Sequence, residues 1–169
     1  IGNIILLFGA GHETTVNMLG NGMLHLLSNP EEWEKLKADP SLVPSAVEEI
    51  LRFDSSVQMT GRTALEDVEI GGVTIPAGEA VLNLLGAANR DPEQFDGAED
   101  FKIDRTNVQP TSFGGGIHHC LGAPLARIEG EIALATLIKR LPNLALANDD
   151  PDWRLTFTLR GLSTLPVTW

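Results

Sequence analysis

Apolar residues dominate the opening stretch IGNIILLFGAGHETTVNMLGNGMLHLL, and their length and density predict one long, mostly buried helix over residues 1–27. Its longest apolar run, residues 4–10, is far too short to span a bilayer and is followed by Gly11, His12 and Glu13. The tripeptide SNP at 28–30 ends this helix, and Pro30 suits the first turn of a second, PEEWEKLKAD, with acids early and lysines late. Residues 41–53 form a third helix, with Val47, Ile50 and Leu51 on one side. From 68 to 82 the pattern alternates and turns at Gly71-Gly72 and Pro76-Ala77-Gly78, which predicts hairpins. Residues 89–110 are polar and hold Pro92, Gly97 and Pro110, so a long irregular segment is expected, and such segments are uncommon unless functional. A helix over 123–141 and short strands over 144–169 complete the chain.

Composition narrows the class. The 169 residues suffice for one sizeable core, and a hydrophobic fraction of 43% excludes disorder. A net charge of −11 argues against nucleic acid as a partner. One cysteine excludes an internal disulfide framework and suits a reducing, cytoplasmic setting. The chain opens on Ile1 with a helix already under way, so residues 1–169 are expected to be the C-terminal part of one longer domain.

That cysteine lies in SFGGGIHHCLGAPLAR, residues 112–127. Three glycines permit positive φ and close backbone approach to something flat or bulky. Cys120 falls just before a helix start, where free amides and the helix dipole favour a thiolate. Such a thiolate can attack an electrophile or ligate a soft metal or haem iron. Zinc on His118, His119 and Cys120 is disfavoured by adjacent spacing, and a phosphate loop lacks its Lys-Ser or Lys-Thr pair. A buried small hydrophobe is the plain alternative.

Two other stretches stand out. In AGHETT, residues 10–15, Glu13 and Thr14 interrupt an apolar helix at Gly11. Thr14 is placed to bond the carbonyl of Ala10, and a local widening there would open a polar notch suited to proton delivery. A solvent-facing polar stripe is the alternative. In EEILR, Glu49 and Arg52 share a helix face and can pair, as many exposed pairs do at little energetic value.

Taken in order, these stretches resemble the cytochrome P-450 family along essentially the whole chain. FGGGIHHCLG, residues 113–122, matches the haem-binding signature F-x-x-G-x-[H/R]-x-C-x-G at every specified position. AGHETT resembles the oxygen-activating motif of the family's long central helix, and Glu49-x-x-Arg52 its E-x-x-R motif. The resemblance implies a mainly α fold with small β-sheets, the portion of the cytochrome P-450 fold from the central helix onward, binding haem b. Cys120 would be the axial thiolate, with Phe113 beside the sulfur and Gly114, Gly116 and Gly122 allowing close approach. His118 and Arg62 would pair with propionates, and His119 has no assigned role. Glu13 and Thr14 would relay protons to dioxygen. Glu49 and Arg52 would tie the third helix to the irregular segment through Arg90 or Arg105. Leu6, Ala10, Gly11, Val57, Gln58 and Leu159 match regions that line the distal pocket.

The implied activity is a bacterial-type soluble haem-thiolate monooxygenase acting on a small apolar organic substrate. Its electrons would come from a ferredoxin or flavoprotein, with Arg127, Lys139 and Arg140 near the docking side. No nucleic acid and no membrane segment enter this reading. Family members run to about 400 residues, so much of the pocket roof lies outside this chain. Two rivals are a haem-binding fragment or sensor without turnover, and a hydrolase or redox sensor using Cys120 with His118 or His119.

Overall fold

The computed structural model describes residues 1–148 and 150–169, so residue 149 of the expected strand-forming tail lies outside the described residues. Helix α1 spans Gly2–Ser28, α2 Pro30–Ala38 and α3 Val43–Phe53. Strands β1 (Thr60–Thr63), β2 (Val68–Ile70), β3 (Val73–Ile75) and β4 (Ala80–Asn83) follow. Next come the short helix α4 (Leu85–Ala88), the irregular segment 89–110, and helix α5 (Ala123–Arg140). The tail holds β5 (Ala145–Leu146), β6 (Asp152–Trp153), β7 (Leu162–Thr164) and β8 (Val167–Thr168).

The core forms where the second half of α1 crosses α3 and α5. Leu26, Leu36, Ala46, Val47, Ile103 and Leu134 are buried there, with Trp33, Ile50 and Phe101 around them. Two glycines let these helices approach closely. A Cβ at Gly22 of α1 would lie 2.6 Å from Cδ1 of Ile50 on α3, and one at Gly130 of α5 would lie 3.1–3.2 Å from Met18 and Val47. Helix α2 is short but locally well specified, with Pro30 in its first turn, Glu31 and Glu32 at its positive end, and Lys35 and Lys37 at its negative end.

The expectation that α1 is mostly buried holds only for its second half. Ile4, Ile5, Leu6, Leu7 and Phe8 are exposed, and so are Leu121, Leu125, Ile128 and Ile132 on and just before α5. Helix α1 is also continuous α-helix through residues 10–15, so the expected widening is not present.

The strands pair as four two-stranded antiparallel units. The 68–82 region does turn twice, at Gly71 and Gly72 (φ 60° and 79°) and at Gly78 (φ 90°). Only β2 and β3 pair within it, with Val68 opposite Ile75. Strand β4 instead pairs with β1, placing Arg62 opposite Val81. In the tail, β5 pairs with β8 and β6 with β7. Among the described residues, no helix is long and apolar enough to cross a membrane.

The close α1–α3 crossing gives a direct test. Gly22→Val should overpack Ile50 and destabilise the protein by about 1–3 kcal/mol, read as a lower urea midpoint at unchanged slope.

Candidate functional site

The site rests on an ion pair with no solvent access. Glu49 and Arg52 are both 0% exposed, so the exposed-pair reading fails. Arg52 donates from Nε to Glu49 Oε2 at 2.7 Å and from Nη2 to Oε1 at 2.8 Å. It also reaches the carbonyls of Asn89 (3.0 Å), Ala98 (2.9 Å) and Asp100 (3.0 Å). All five guanidinium N–H donors are thereby used. Glu49 accepts in addition from the Lys102 amide at 2.8 Å and from Arg105 Nε at 3.2 Å. Arg105, not Arg90, completes the tie, and its other nitrogens bind the carbonyls of Asp96 and Gly97. Arg90 binds the Phe53 carbonyl at 2.8 Å and lies 3.5 Å over the Phe53 ring, and burial pulls its pKa below the ordinary arginine value.

The anchor passes to the cysteine loop through Asn89. This side chain is fully buried; its Oδ1 accepts from the Thr111 amide at 2.7 Å, and its Nδ2 donates to Ser112 Oγ at 2.8 Å. A 3-10 turn follows at Thr111–Phe113, and the backbone reverses at Gly114 and Gly116 (φ 66° and 61°), where a side chain would be strained. The Cys120 amide donates to the Phe113 carbonyl at 2.9 Å, closing the loop before α5 begins at Ala123. A Cβ at Gly122 would sit 3.8 Å from the Cys120 sulfur. On the far side, Arg127 of α5 stacks 4.7 Å over the Phe113 ring and pairs with Glu48 of α3. Its hydrogen bond to Glu48 raises its pKa above the ordinary arginine value.

The Cys120 thiol is exposed and lines a cleft of about 270 Å³. Ala10 and Thr14 of α1, Val57, Arg62, Phe113, Gly114 and His118 line it as well. A neighbouring cleft of about 450 Å³ shares Arg62, Gly114 and His118 and adds Gly116. Thr14 donates to the Ala10 carbonyl at 2.7 Å, the bond expected from its position. The remaining candidates lie around this cleft rather than in its lining. Glu13 pairs with Arg154 at 3.2 Å. Leu159 bridges to Val57, while Gln58 donates to the Ser55 carbonyl at 2.6 Å and lines a separate cleft beside His25 and Asp54. Leu6 and Gly11 are exposed on α1, and Gly122 lies beneath the thiol. His119 packs its ring 6.4 Å from that of Phe113. Among the described residues, no three His, Cys, Asp or Glu side chains are placed to hold a metal ion by themselves.

Sequence reading missed Asn89, whose only signal is that it opens the polar segment after LLGAA. Ser55 and Ser56 were missed too. Both line the Cys120 cleft, and Ser56 Oγ donates to the Thr14 carbonyl at 2.9 Å.

An exposed thiol on a positive-φ glycine turn, with Arg62 and His118 on the same cleft wall, has the donor set of a haem-thiolate cradle. The sulfur is a soft ligand for iron, the glycines admit a flat ring, and the cationic or protonatable rim suits its carboxylates. The Cytochrome P450 family model matches residues 2–166, and the chain belongs to that family. It is 52% identical over 165 residues to the biotin biosynthesis cytochrome P450 of Bacillus subtilis, covering 98% of this chain and 42% of that protein. It is 50% identical over 168 residues to a putative cytochrome P450 133B1 of Xylella fastidiosa, again covering 42% of the relative. Among solved structures, P450BioI in complex with hexadec-9Z-enoic acid ligated acyl carrier protein superposes with a TM-score of 0.95 at 52% identity, covering 98% of this chain and 43% of that one. The tirandamycin C-bound P450 monooxygenase TamI also reaches 0.95, at 49% identity with 98% and 42% covered. The chain therefore spans about 42% of the length of the curated relatives it matches.

Because Glu49 would be left buried without its main partner, Arg52→Ala should cost about 3–5 kcal/mol in urea unfolding. Replacing both residues with leucine should also destabilise the protein, because Arg105 then loses Glu49 and the carbonyls of Asn89, Ala98 and Asp100 lose their donors.

Proposed function

We propose that the whole protein is a haem-thiolate monooxygenase that inserts one atom of dioxygen into an apolar organic substrate. The observation that supports this best is the exposed Cys120 thiol sharing one cleft with Thr14, Arg62 and His118, four residues drawn from three separated parts of the chain. Haem b, when bound, supplies iron redox chemistry with dioxygen, and thiolate ligation favours O–O cleavage.

The residues of this chain take distinct roles. Cys120 would hold the iron through its sulfur, with Gly114, Gly116 and Gly122 leaving room for a flat ring and Phe113 beside the sulfur. Arg62 and His118, which line the same two clefts, would hold its carboxylates. Thr14 lines the same cleft from α1, where its hydroxyl can pass a proton toward the site. Glu13 is the acid that resupplies it, and its bond to Arg154 must exchange for one to Thr14 or a water during turnover.

The apolar lining from Ala10, Val57, Leu51 and Leu85 suits a hydrocarbon surface. The hexadec-9Z-enoic acid chain on the acyl carrier protein held by one relative is apolar, which supports an apolar substrate class. A ferredoxin or flavoprotein would deliver electrons from the cysteine side. Arg127 is engaged with Glu48 and Phe113, and Lys139 and Arg140, both exposed, lie at the far end of α5, about 24 Å along the helix from its start beside Cys120.

A difference spectrum of the reduced, carbon monoxide-bound whole protein tests the ligand. The red-shifted band of thiolate ligation is expected, and its absence would overturn the proposal. Cys120→His should retain part of the haem and lose that band. In the haem-loaded protein Cys120 should resist iodoacetamide, whereas a free nucleophile would alkylate. Thr14→Ala should divert electrons from product to peroxide, measured as peroxide released per electron pair consumed.

A further inference from the structure

Besides Glu49, one carboxylate among the described residues is buried: Asp54, at the C-terminal end of α3, 6% exposed. It plays no part in the roles above. Its two oxygens face two elements far apart in sequence. Oδ2 lies 2.9 Å from Nε2 of His25 on α1, and Oδ1 accepts from Arg160 Nε at 2.8 Å. Both partners are held from behind. The His25 ring packs edge-on against Phe53 at 4.8 Å, and the Arg160 guanidinium lies 3.6 Å over the Trp153 ring.

Arg160 belongs to a strap, residues 154–161, that lies along segment 55–58. Its amide donates to the Ser56 carbonyl at 2.8 Å, and its carbonyl accepts from Asn21 of α1 at 3.1 Å. The Gln58 amide donates to the Thr158 carbonyl at 2.8 Å, and Leu159 bridges to Val57. Gly161 fits against Asn17 with no room for a Cβ. Segment 55–58 is in turn one wall of the Cys120 cleft, through Ser55, Ser56 and Val57, and Ser56 holds the Thr14 carbonyl.

We infer that Asp54 is a positioning residue for that wall. By gripping α1 with one oxygen and the strap with the other, it fixes Val57 and Leu159 at a set height above Thr14. The fit of a ligand that extends from the iron position to this wall then depends on a carboxylate that never touches it. Two charge-assisted bonds on one buried group are strong enough for the task, and the backbone bonds around them transmit the position. This inference rests on the proposed haem-thiolate reading.

The test uses the whole haem-loaded protein and two probes, imidazole and 4-phenylimidazole. Both bind through one ring nitrogen, but only the second carries a phenyl group that the wall must house. In Asp54→Ala, 4-phenylimidazole should bind about tenfold or more weaker, the scale of one lost bond to a charged group, with imidazole affinity unchanged. Arg160→Ala, which frees the strap and leaves His25 on Asp54, should show the same split, and it carries the test if Asp54→Ala does not fold. Amide hydrogen exchange over residues 154–161 should rise in both variants while that of α5 stays constant. Unchanged phenylimidazole affinity and strap exchange in the folded variants would overturn the inference, as would equal weakening of both probes. Loss of the carbon monoxide band in the unsubstituted protein would instead sink the haem-thiolate reading, and strap exchange would still report on the clamp.

Discussion

A guanidinium and a carboxylate shut away from water hold this structure together. Burying either alone would be very costly, so each must be fully matched. Arg52 solves this by spending its remaining donors on the carbonyls of Asn89, Ala98 and Asp100, groups of a segment with no helix or strand of its own. That segment's backbone would otherwise lack partners in the interior. The pair and the irregular segment therefore satisfy each other. The order then propagates, because Asn89 is bonded to both Arg52 and the turn that opens the cysteine loop.

The cysteine loop is gripped from two directions. Asn89 holds its entrance, while Arg127 holds Phe113 from α5 and is itself pinned to Glu48 of α3. Two consecutive residues of α3 thus serve opposite sides of one site, Glu49 inward and Glu48 outward. A strained glycine turn keeps its shape only where its surroundings over-determine it, and these two grips do so. The thiol can then remain exposed without the loop being loose.

The elements legible in the sequence were those specified by local pattern. Helices α2, α3 and α5 follow from apolar spacing, Pro30 and charge placement, and the Thr14–Ala10 bond follows from a four-residue offset. The candidate site residues came from the ordered motifs rather than from any one neighbourhood, and Thr14, Arg62, His118 and Cys120 line one cleft. What stayed hidden depends on tertiary placement. From spacing alone Glu49 and Arg52 read as a surface pair, because an i,i+3 offset carries no information on burial, and only the family resemblance pointed to a tie with the irregular segment. The β1–β4 pairing joins Thr60 to Asn83 across an intervening hairpin, so turn chemistry alone suggests the wrong neighbour. The choice of Arg105 over Arg90, and the Asp54 clamp on residue 160, are likewise set by where the chain returns.

The reach of the Arg52 network also has a temporal side. Its three carbonyl partners lie 37, 46 and 48 residues further along the chain. Closing spans of that length carries an entropic cost that the bonds themselves must offset, so the network holds only where residues 89–105 return to α3. A chain still emerging during synthesis has no shaped cradle until residue 105 and the loop beyond it are available. The shape of the turn around Cys120 is thereby tied to long-range closure, so a change that loosens residues 89–105 would be felt at the thiol without touching it.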